Sequence, residues 1–174
     1  SPDVSWDFLI GMFLNIFKTK KWLDSLDIIN KKNIEDKRVW SNFDNTCLNP
    51  AVISKAFKDS KIYICADPLS VNLVGVREWQ TMYEFVEIVR IPELLDFYRS
   101  QGLSFKKYVY CKNFALRNFC NYIFKILVGG EKMGRNYINF KKHIFNNLAY
   151  PNVYLSLIYF IFRKLSKIFK TSKS

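Results

Sequence analysis

Three acidic side chains stand in a polar stretch of the first half of the chain, KKNIEDKRVWSNFDNT at residues 31–46. Glu35 and Asp36 are adjacent, and Asp44 follows within SNFDNT. A carboxylate in a loop beside a structured element can act as the general base that deprotonates an acceptor hydroxyl. The alternative for each acid alone is a capping role at a neighbouring helix, and composition favours that alternative.

A second set of candidate residues follows an apolar, β-branched run in PLSVNLVGVREW, residues 68–79. Gly75 permits a tight turn or the close approach of a ligand to the backbone. Arg77 could clamp a phosphate oxygen, and Trp79 could stack on a sugar or a base. The structural alternative makes Trp79 the first core residue of the next helix, with Glu78 favouring the N-terminus of that helix. By composition alone, this alternative is preferred.

The familiar signatures of several enzyme classes are missing from the sequence. It contains no GxSxG, HExxH, P-loop or GxGxxG motif, and no DxD pair to hold a metal on a sugar-nucleotide diphosphate. His143 has no cysteine or carboxylate at ligand spacing, so we predict no metal site in this chain. The cysteines form no CxxC pair and are predicted to be buried free thiols of a reducing compartment: Cys47, Cys65, Cys111 and Cys120.

The elements that must position these residues divide the chain near residue 76. The front part, 1–76, is predicted to be α/β, with a helix at 50–58 capped by Asn49-Pro50 and two short strands within 61–74. The region 77–174 is predicted to be mainly helical, which makes the whole chain helix-dominated. The first expected helix of this region covers about 79–98, is kinked or split by Pro92 and is closed by Gly102. The next covers 104–127 and ends at Gly129-Gly130, and two more are expected at 134–147 and from Pro151.

Charge is distributed unevenly between the two parts of the chain. The whole sequence has 174 residues, a net charge of +12 and 49% hydrophobic residues, which excludes a disordered chain. Residues 1–99 carry 13 basic and 14 acidic side chains, whereas residues 100–174 carry 14 basic side chains and the single acid Glu131. The second part is therefore expected to meet phosphate groups or anionic lipid.

The last predicted helix, about 150–170, combines an apolar run with a basic end. The 15 residues from Leu148 to Phe162 carry no charge, which is shorter than the roughly 20 apolar residues of a bilayer span. The cations Arg163, Lys164, Lys167 and Lys170 follow. This pattern is typical of a helix that lies in the headgroup region of an anionic membrane. The alternative is an ordinary packed helix with a solvated basic end.

Nucleic acid is the competing partner for the basic region, because a basic face with interleaved Tyr and Phe suits single-stranded binding. The aromatic residues recur at the spacing of a helix core, however, and no RRM, KH or zinc-finger spacing is present. We therefore rank nucleic acid below the membrane surface as a partner.

Several stretches in order resemble one family. They are FLIGMF…KKW, then SNFDNTCLNPAVISKAFKDSKIYICADPLSVNLVGVREW, then EFVEIVRIPELLDFYRSQGL, then YPNVYLSLIYFIFRK. Together they resemble the C-terminal part of bacterial family 2 glycosyltransferases, which build O-antigens and other surface polysaccharides. The resemblance covers nearly the whole chain and rests on the order and general residue pattern of the stretches rather than on one invariant signature.

The resemblance implies a GT-A fold, of which this chain would be the acceptor-side half. The nucleotide-sugar and a divalent metal, Mg²⁺ or Mn²⁺, would be held by a DxD pair in the missing N-terminal half. The polar segment would supply the catalytic base, either from the Glu35-Asp36 pair or from Asp44, and Asn42 would bind substrate. Arg77 and Trp79 would line the active site, loosely as in the QxxRW motif of processive members, although the Gln of that motif is missing here.

The resemblance further implies a location and a reaction. Such enzymes transfer a hexosyl or deoxyhexosyl group from a nucleotide-sugar to a lipid-linked saccharide, at the cytoplasmic face of the bacterial plasma membrane. A basic tail that ends in an interfacial helix would hold the enzyme beside that lipid as a peripheral protein. The 174 residues alone are expected to be inactive. The alternative is a non-enzymatic basic helical module that binds anionic membrane or nucleic acid.

Overall fold

The computed structural model describes residues 18–38, 40–60 and 81–171, with side chains as far as residue 166. Helices dominate these residues, as predicted, and no strand occurs among them. The strands expected within 61–74 and the expected boundary near residue 76 lie outside the described residues. The α-helices are α1 (Thr19–Leu23), α2 (Lys31–Ile34), α3 (Phe43–Ala56), α4 (Tyr83–Phe85), α5 (Ile91–Ser100), α6 (Phe105–Ala115), α7 (Phe119–Gly129) and α8 (Pro151–Thr171).

Helix α3 begins earlier than predicted. Its N-cap is Asn42, whose side chain accepts a hydrogen bond from the backbone N–H of Asn45, while the Asn45 side chain accepts one from the Asn42 N–H. Pro50, expected at the first helical position, lies inside the helix instead. Proline removes one backbone hydrogen bond and its ring crowds the preceding turn. The helix accommodates this by a kink at Cys47, whose φ and ψ are −109° and 21°.

The helix predicted over 79–98 contains both α-helical and π-helical winding. A π-helical turn, Val86–Arg90, joins α4 to α5, and Pro92 falls in the first turn of α5, where its missing N–H is tolerated. The predicted break at Pro92 is therefore a change of helical winding. Gly102 follows the end of α5 with a φ of +106°, a conformation that favours glycine, and this confirms its predicted role at the helix end.

The helices predicted at 104–127 and 134–147 are more divided than expected. The segment 104–127 contains α6 and α7 separated by a 3₁₀ turn, and Gly129 and Gly130 end it as predicted. The segment 134–147 is a chain of 3₁₀ and π turns. In this segment Asn139 accepts a hydrogen bond from the Lys142 N–H, so a side chain competes with the regular helix for backbone donors.

A hydrophobic core joins the α4 region to the C-terminal helices. Its buried members are Met82, Phe85, Ile88, Val89, Leu116, Phe119, Ile126 and Val153. Gly134 lies against this core with a φ of +83°, and a Cβ there would stand 2.8 Å from the Phe85 ring. The irregular segment 134–147 can therefore approach the core because glycine occupies this position. A second cluster, with Ala51 and Val52 of α3 at its centre, holds the front helices together.

Candidate functional site

The polar segment before α3 folds into a loop that is closed by its own side chains. Asp36 accepts hydrogen bonds from Arg38 Nε and Nη2, each at 2.9 Å, and from Ser41 Oγ at 2.6 Å. The hydrogen bond from Arg38, followed by that from Ser41, holds the pKa of Asp36 well below its usual range. A general base works best when its pKa lies near the working pH. Asp36 is therefore a poor base, and its contacts assign it to the closure of the loop.

Asn42 and Asp44 lie in the same loop, at the start of α3. The Oδ1 atom of Asn42 caps α3, and its Nδ2 donates a hydrogen bond to the Asn33 carbonyl at 2.8 Å. Both polar atoms of this side chain are therefore used in holding the loop and the helix start. Asp44 is buried in the first turn, and its Oδ2 accepts a hydrogen bond of 2.6 Å from Asn33 Nδ2. The helix N-terminus stabilises a carboxylate at this position. The structure thus brings the predicted site residues Asn42, Asp44 and Asp36 together, and gives Asn42 and Asp36 structural roles.

Glu35 differs from its neighbour Asp36, because it is exposed at the C-terminal end of α2. Asp44 is buried and is held in a fixed orientation by the Asn33 amide. Glu35 is exposed and is therefore accessible to an acceptor substrate. Of the three predicted bases, Asp44 and Glu35 remain compatible with the role. Arg77 and Trp79, the predicted substrate contacts, lie outside the described residues.

A buried arginine from the π-helical turn supports this loop. Arg90 is 4% exposed. It donates through Nε and Nη2 to the Trp40 carbonyl at 3.2 and 3.0 Å, and through Nη2 to the Ser41 carbonyl at 2.7 Å. Trp40 has a φ of +55°, a conformation that is unfavourable for a residue with a side chain. Arg90 therefore fixes the backbone of the loop at its strained residue, two residues before the Asn42 cap.

Glu93 balances the charge of Arg90 inside the protein. Its Oε2 accepts from Arg90 Nη1, and its Oε1 accepts from Lys142 Nζ and, at 3.1 Å, from His143 Nε2. Nδ1 of His143 accepts the Asn139 N–H, so Nε2 carries the proton. Burial opposes the ionisation of Glu93, but the hydrogen bond from His143, the charge of Arg90 and the hydrogen bond from Lys142 outweigh it and lower its pKa to about 2.

Sequence reasoning did not find the Arg90–Glu93 centre. The available signal was a cation and an anion three residues apart in VRIPELL, a stretch otherwise apolar. Their long-range partners, Trp40 and His143, lie about fifty positions away along the chain, and no local pattern predicts such contacts. No group of three or more potential metal ligands occurs in the described parts of the chain, and the His143 ring instead contacts Glu93 and the Asn139 N–H.

The predicted free cysteines are partly confirmed. Cys47 is buried, Cys111 and Cys120 are half-buried, and all three are unpaired thiols. Burial raises the pKa of Cys47 to about 12, so this thiol is inert as a nucleophile. Cys65 lies outside the described residues.

The last helix, α8, attaches to the rest of the protein through one narrow stripe. Val153 and Ser156 are buried, and the Phe160 ring packs on Phe124 with 5.2 Å between ring centroids. Ser156 Oγ also accepts a hydrogen bond from the Cys120 N–H of α7 at 3.1 Å. The spacing 153, 156, 160 follows one side of a helix. The predicted start at Pro151 is confirmed, and the helix extends to Thr171.

The remaining surface of α8 is apolar and exposed. Phe162 and Tyr159 are 68% and 67% exposed, far more than large aromatic side chains on a packed helix. Among the predicted membrane-surface cations, Arg163 is exposed and Lys164 Nζ lies 4.5 Å from the Phe124 ring centroid. The side chains of Lys167 and Lys170 fall beyond the described ones. We call this surface the outer face of α8; it consists of Tyr154, Leu155, Leu157, Ile158, Tyr159, Ile161, Phe162 and Leu165.

The chain was compared with known proteins at three levels. No protein-family model, no curated protein and no solved structure matches it. Among the helices that the structure describes, none combines the length and the hydropathy needed to cross a bilayer.

Proposed function

We propose that this chain is the acceptor-side, membrane-attaching half of a sugar-nucleotide-dependent glycosyltransferase of bacterial surface polysaccharide synthesis. The reaction is the attack of an acceptor hydroxyl on the anomeric carbon of the donor sugar. The donor half, with its divalent metal, belongs to a longer polypeptide. The reaction class rests on the family resemblance of the sequence.

The observation that carries the membrane attachment is the outer face of α8. Eight large apolar side chains stand exposed along this helix, and the chain places cations at its C-terminal end. Exposed apolar surface of this extent marks an interaction site. A bilayer surface of negative charge fits both parts, since acyl chains take up the apolar side chains and lipid headgroups attract the lysines and Arg163. The position is peripheral, at the cytoplasmic face.

The loop before α3 supports the assignment of the base. Asp44 is held in one orientation by Asn33 and by the first turn of α3, which is how an active-site carboxylate is positioned. Asp44 is the base that we favour, with Glu35 as the alternative. Arg77 and Trp79 contact the donor diphosphate or the acceptor sugar in this proposal.

Vesicle sedimentation tests the membrane attachment. The full chain is expected to sediment with phosphatidylcholine vesicles that contain anionic lipid and to remain in solution with pure phosphatidylcholine. A variant that lacks residues 150–174 is expected to lose this binding. Equal binding to both vesicle types, or binding that survives the deletion, contradicts the proposal.

A transferase assay tests the reaction. The chain alone is expected to transfer no sugar, and detection of transfer by the isolated chain would refute the assignment as a half-enzyme. In the longer polypeptide that includes the donor half, Asp44→Asn is expected to lower kcat by at least about a hundredfold, the usual contribution of a general base. Asp36→Ser serves as the control, because it alters the same loop without removing the favoured base.

A second candidate function is a non-enzymatic basic module that binds an anionic membrane. The observation that favours it is the commitment of Asp36 and Asn42 to loop closure and helix capping. Anionic-vesicle binding together with no sugar transfer, by the chain and by the longer polypeptide alike, would favour this second function. Tight oligonucleotide binding that survives deletion of residues 150–174 would instead indicate nucleic acid as the partner.

A further inference from the structure

One buried carboxylate connects the two π-helical turns in the described part of the chain. The first of these turns ends at Arg90, and the second, Phe140–Ile144, contains Lys142 and His143. All three side chains donate to Glu93, the arginine to Oε2 and the other two to Oε1. Turns of this kind are rare in proteins and frequently occur at functional sites. Both of them contribute their charged or polar side chains to the same acceptor.

Arg90 extends this connection to the segment 40–45, which contains the Asn42 cap and Asp44 and which we call the capping loop. It donates to the carbonyls of Trp40 and Ser41 at 3.0 and 2.7 Å. The positive φ of Trp40 is strained, and backbone strain persists only where the surrounding contacts hold it. Loss of the hydrogen bonds from Arg90 therefore favours a rearrangement of the loop at its first residue.

The second π-helical turn holds Glu93 from the other side. Both hydrogen bonds to Glu93 Oε1 come from this turn. The turn is itself held by Asn139, whose Oδ1 accepts from the Lys142 N–H at 2.9 Å and whose N–H donates to His143 Nδ1 at 3.0 Å. If the turn moves away, Oε1 loses these donors, which is strongly unfavourable for a buried carboxylate. The positions of Glu93 and of its partner Arg90 therefore depend on the turn.

We propose that the capping loop and the π-helical turn Phe140–Ile144 open and close as one unit, with Glu93 and Arg90 as the connection. The two regions lie about a hundred residues apart in the sequence. One consequence rests on the proposed function: Asp44, the favoured base, is held in place only while the turn is closed. The coupling itself requires neither a donor sugar nor a membrane.

Amide hydrogen exchange of the full chain, followed by NMR, measures the opening of each region. In the capping loop the reporters are the N–H groups of Ser41, Asn42 and Asn45, each of which donates a hydrogen bond within the loop or to its neighbour. In the turn the reporters are the N–H groups of Asn139 and His143. Exchange in α7 serves as the reference for the rest of the protein.

The variant Asn139→Ala loosens the turn without touching the capping loop. It removes the acceptor of the Lys142 N–H and is expected to speed exchange in the turn about fivefold, the usual effect of losing one cap. Exchange in the capping loop is expected to rise by the same factor. Asn136→Ala is the matched control, because Asn136 lies in the same segment but donates to Glu131, away from the contacts of Glu93. It should leave the capping loop unchanged.

The variant Glu93→Gln tests the route of the coupling. It keeps the size of the side chain and removes its charge, so exchange is expected to become faster in both regions. In this background Asn139→Ala should affect the turn alone, because the connection is lost. A second contact between the same parts of the chain, the Arg38 guanidinium 5.9 Å from the Tyr137 ring centroid, is retained in this variant and serves as the alternative route.

Equal factors in the two regions that are no longer coupled in Glu93→Gln support the inference. Faster exchange in the turn with an unchanged capping loop overturns it. An equal rise in α7 as well would mean that the whole protein unfolds, and this also overturns it. Coupling that persists in Glu93→Gln contradicts the role of Glu93. None of these results depends on the proposed transferase activity, whose failure in the transfer assay would leave the coupling intact.

Discussion

The Arg90–Glu93 centre and the outer face of α8 depart from the usual distribution of charge in opposite directions. Arg90 and Glu93 are charged and only 4% and 8% exposed, whereas Phe162 and Tyr159 are apolar or nearly so and 68% and 67% exposed. In most proteins charged side chains lie outside, and large apolar side chains cluster in the core. The two regions therefore require different explanations.

The difference lies in where the compensating partners are. Arg90 and Glu93 find theirs within the chain, in two backbone carbonyls, Lys142 and His143. Burial without these partners is strongly unfavourable. Among the described residues the outer face of α8 is exposed, and its partner in the function proposed above is a membrane surface. Changes at the first region should therefore alter stability, and changes at the second should alter association.

The largest effect is expected from Arg90→Ala. The substitution leaves Glu93 without its buried cation partner and leaves the carbonyls of Trp40 and Ser41 without the hydrogen bonds from Arg90. Removal of one partner of a buried pair costs about 3–5 kcal/mol of unfolding free energy, which urea unfolding measures. Arg99→Ala is the control, because Arg99 is exposed and donates a hydrogen bond to the Leu103 carbonyl nearby in the chain. A loss below about 1 kcal/mol in Arg90→Ala, as expected for exposed pairs, would contradict the buried-centre interpretation.

The next effect is a pH dependence of stability. The pKa of Glu93 is about 2 in the folded protein against an ordinary value of 4.5. A carboxyl whose pKa is lowered by folding contributes stability above its ordinary pKa and loses it as the pH falls toward the folded value. We expect Glu93 to contribute about 3 kcal/mol above pH 5 and to lose this between about pH 4.5 and 2. Urea unfolding of wild type and Glu93→Gln across this range measures it; identical slopes in the two proteins would rule it out.

A pair of aromatic substitutions compares the attached side of α8 with its outer face. Phe160→Ser removes a half-buried ring that packs on Phe124, and is expected to lower the unfolding free energy by about 1–2 kcal/mol. Phe162→Ser removes an exposed ring and is expected to leave stability unchanged. It should weaken binding to anionic vesicles about tenfold, the effect of one apolar side chain lost from the bilayer. A large stability loss in Phe162→Ser would mean that the outer face packs within the chain.

The smallest effect is expected from Lys164→Gln. One cation at an anionic surface contributes about 1 kcal/mol, so vesicle binding should fall about fivefold at low salt. Because salt screens this attraction, wild type and variant should approach each other as the ionic strength rises. Sedimentation at several salt concentrations measures the difference. A salt-independent difference would instead indicate the loss of the contacts of Lys164 with the rings of Phe124 and Phe160.

Local signals in the sequence were sufficient for several elements and misleading for one. Pro151 and Gly102 were correctly predicted as a helix start and a helix end, since proline presets the first turn and glycine adopts positive φ. The start of α3 was predicted at Pro50 for the same reason, and this was wrong. Asn42 and Asn45 form a reciprocal cap, and the front cluster around Val52 stabilises the helix on both sides of its kink.

The candidate site was predictable as a segment and not as an arrangement. The polar stretch around Asp44 was found from its composition. Its geometry depends on Arg90, which reaches it from about fifty residues away, and on the strained backbone of Trp40 that Arg90 holds. The fold of the loop decides that Asp36 is hydrogen-bonded by Arg38 and Ser41, whereas Asp44 is hydrogen-bonded by Asn33.

The sequence by itself determined the helix-dominated character of the chain, the basic second part and the apolar run with its cationic end. These features follow from net charge, composition and helical periodicity, which depend only on residues that are close in the sequence. Only the tertiary structure decided which side of α8 is attached and which is exposed, and which charges are buried together. Those outcomes depend on contacts between distant parts of the chain. Their energies become favourable only when helix packing has already brought the partners within hydrogen-bond distance.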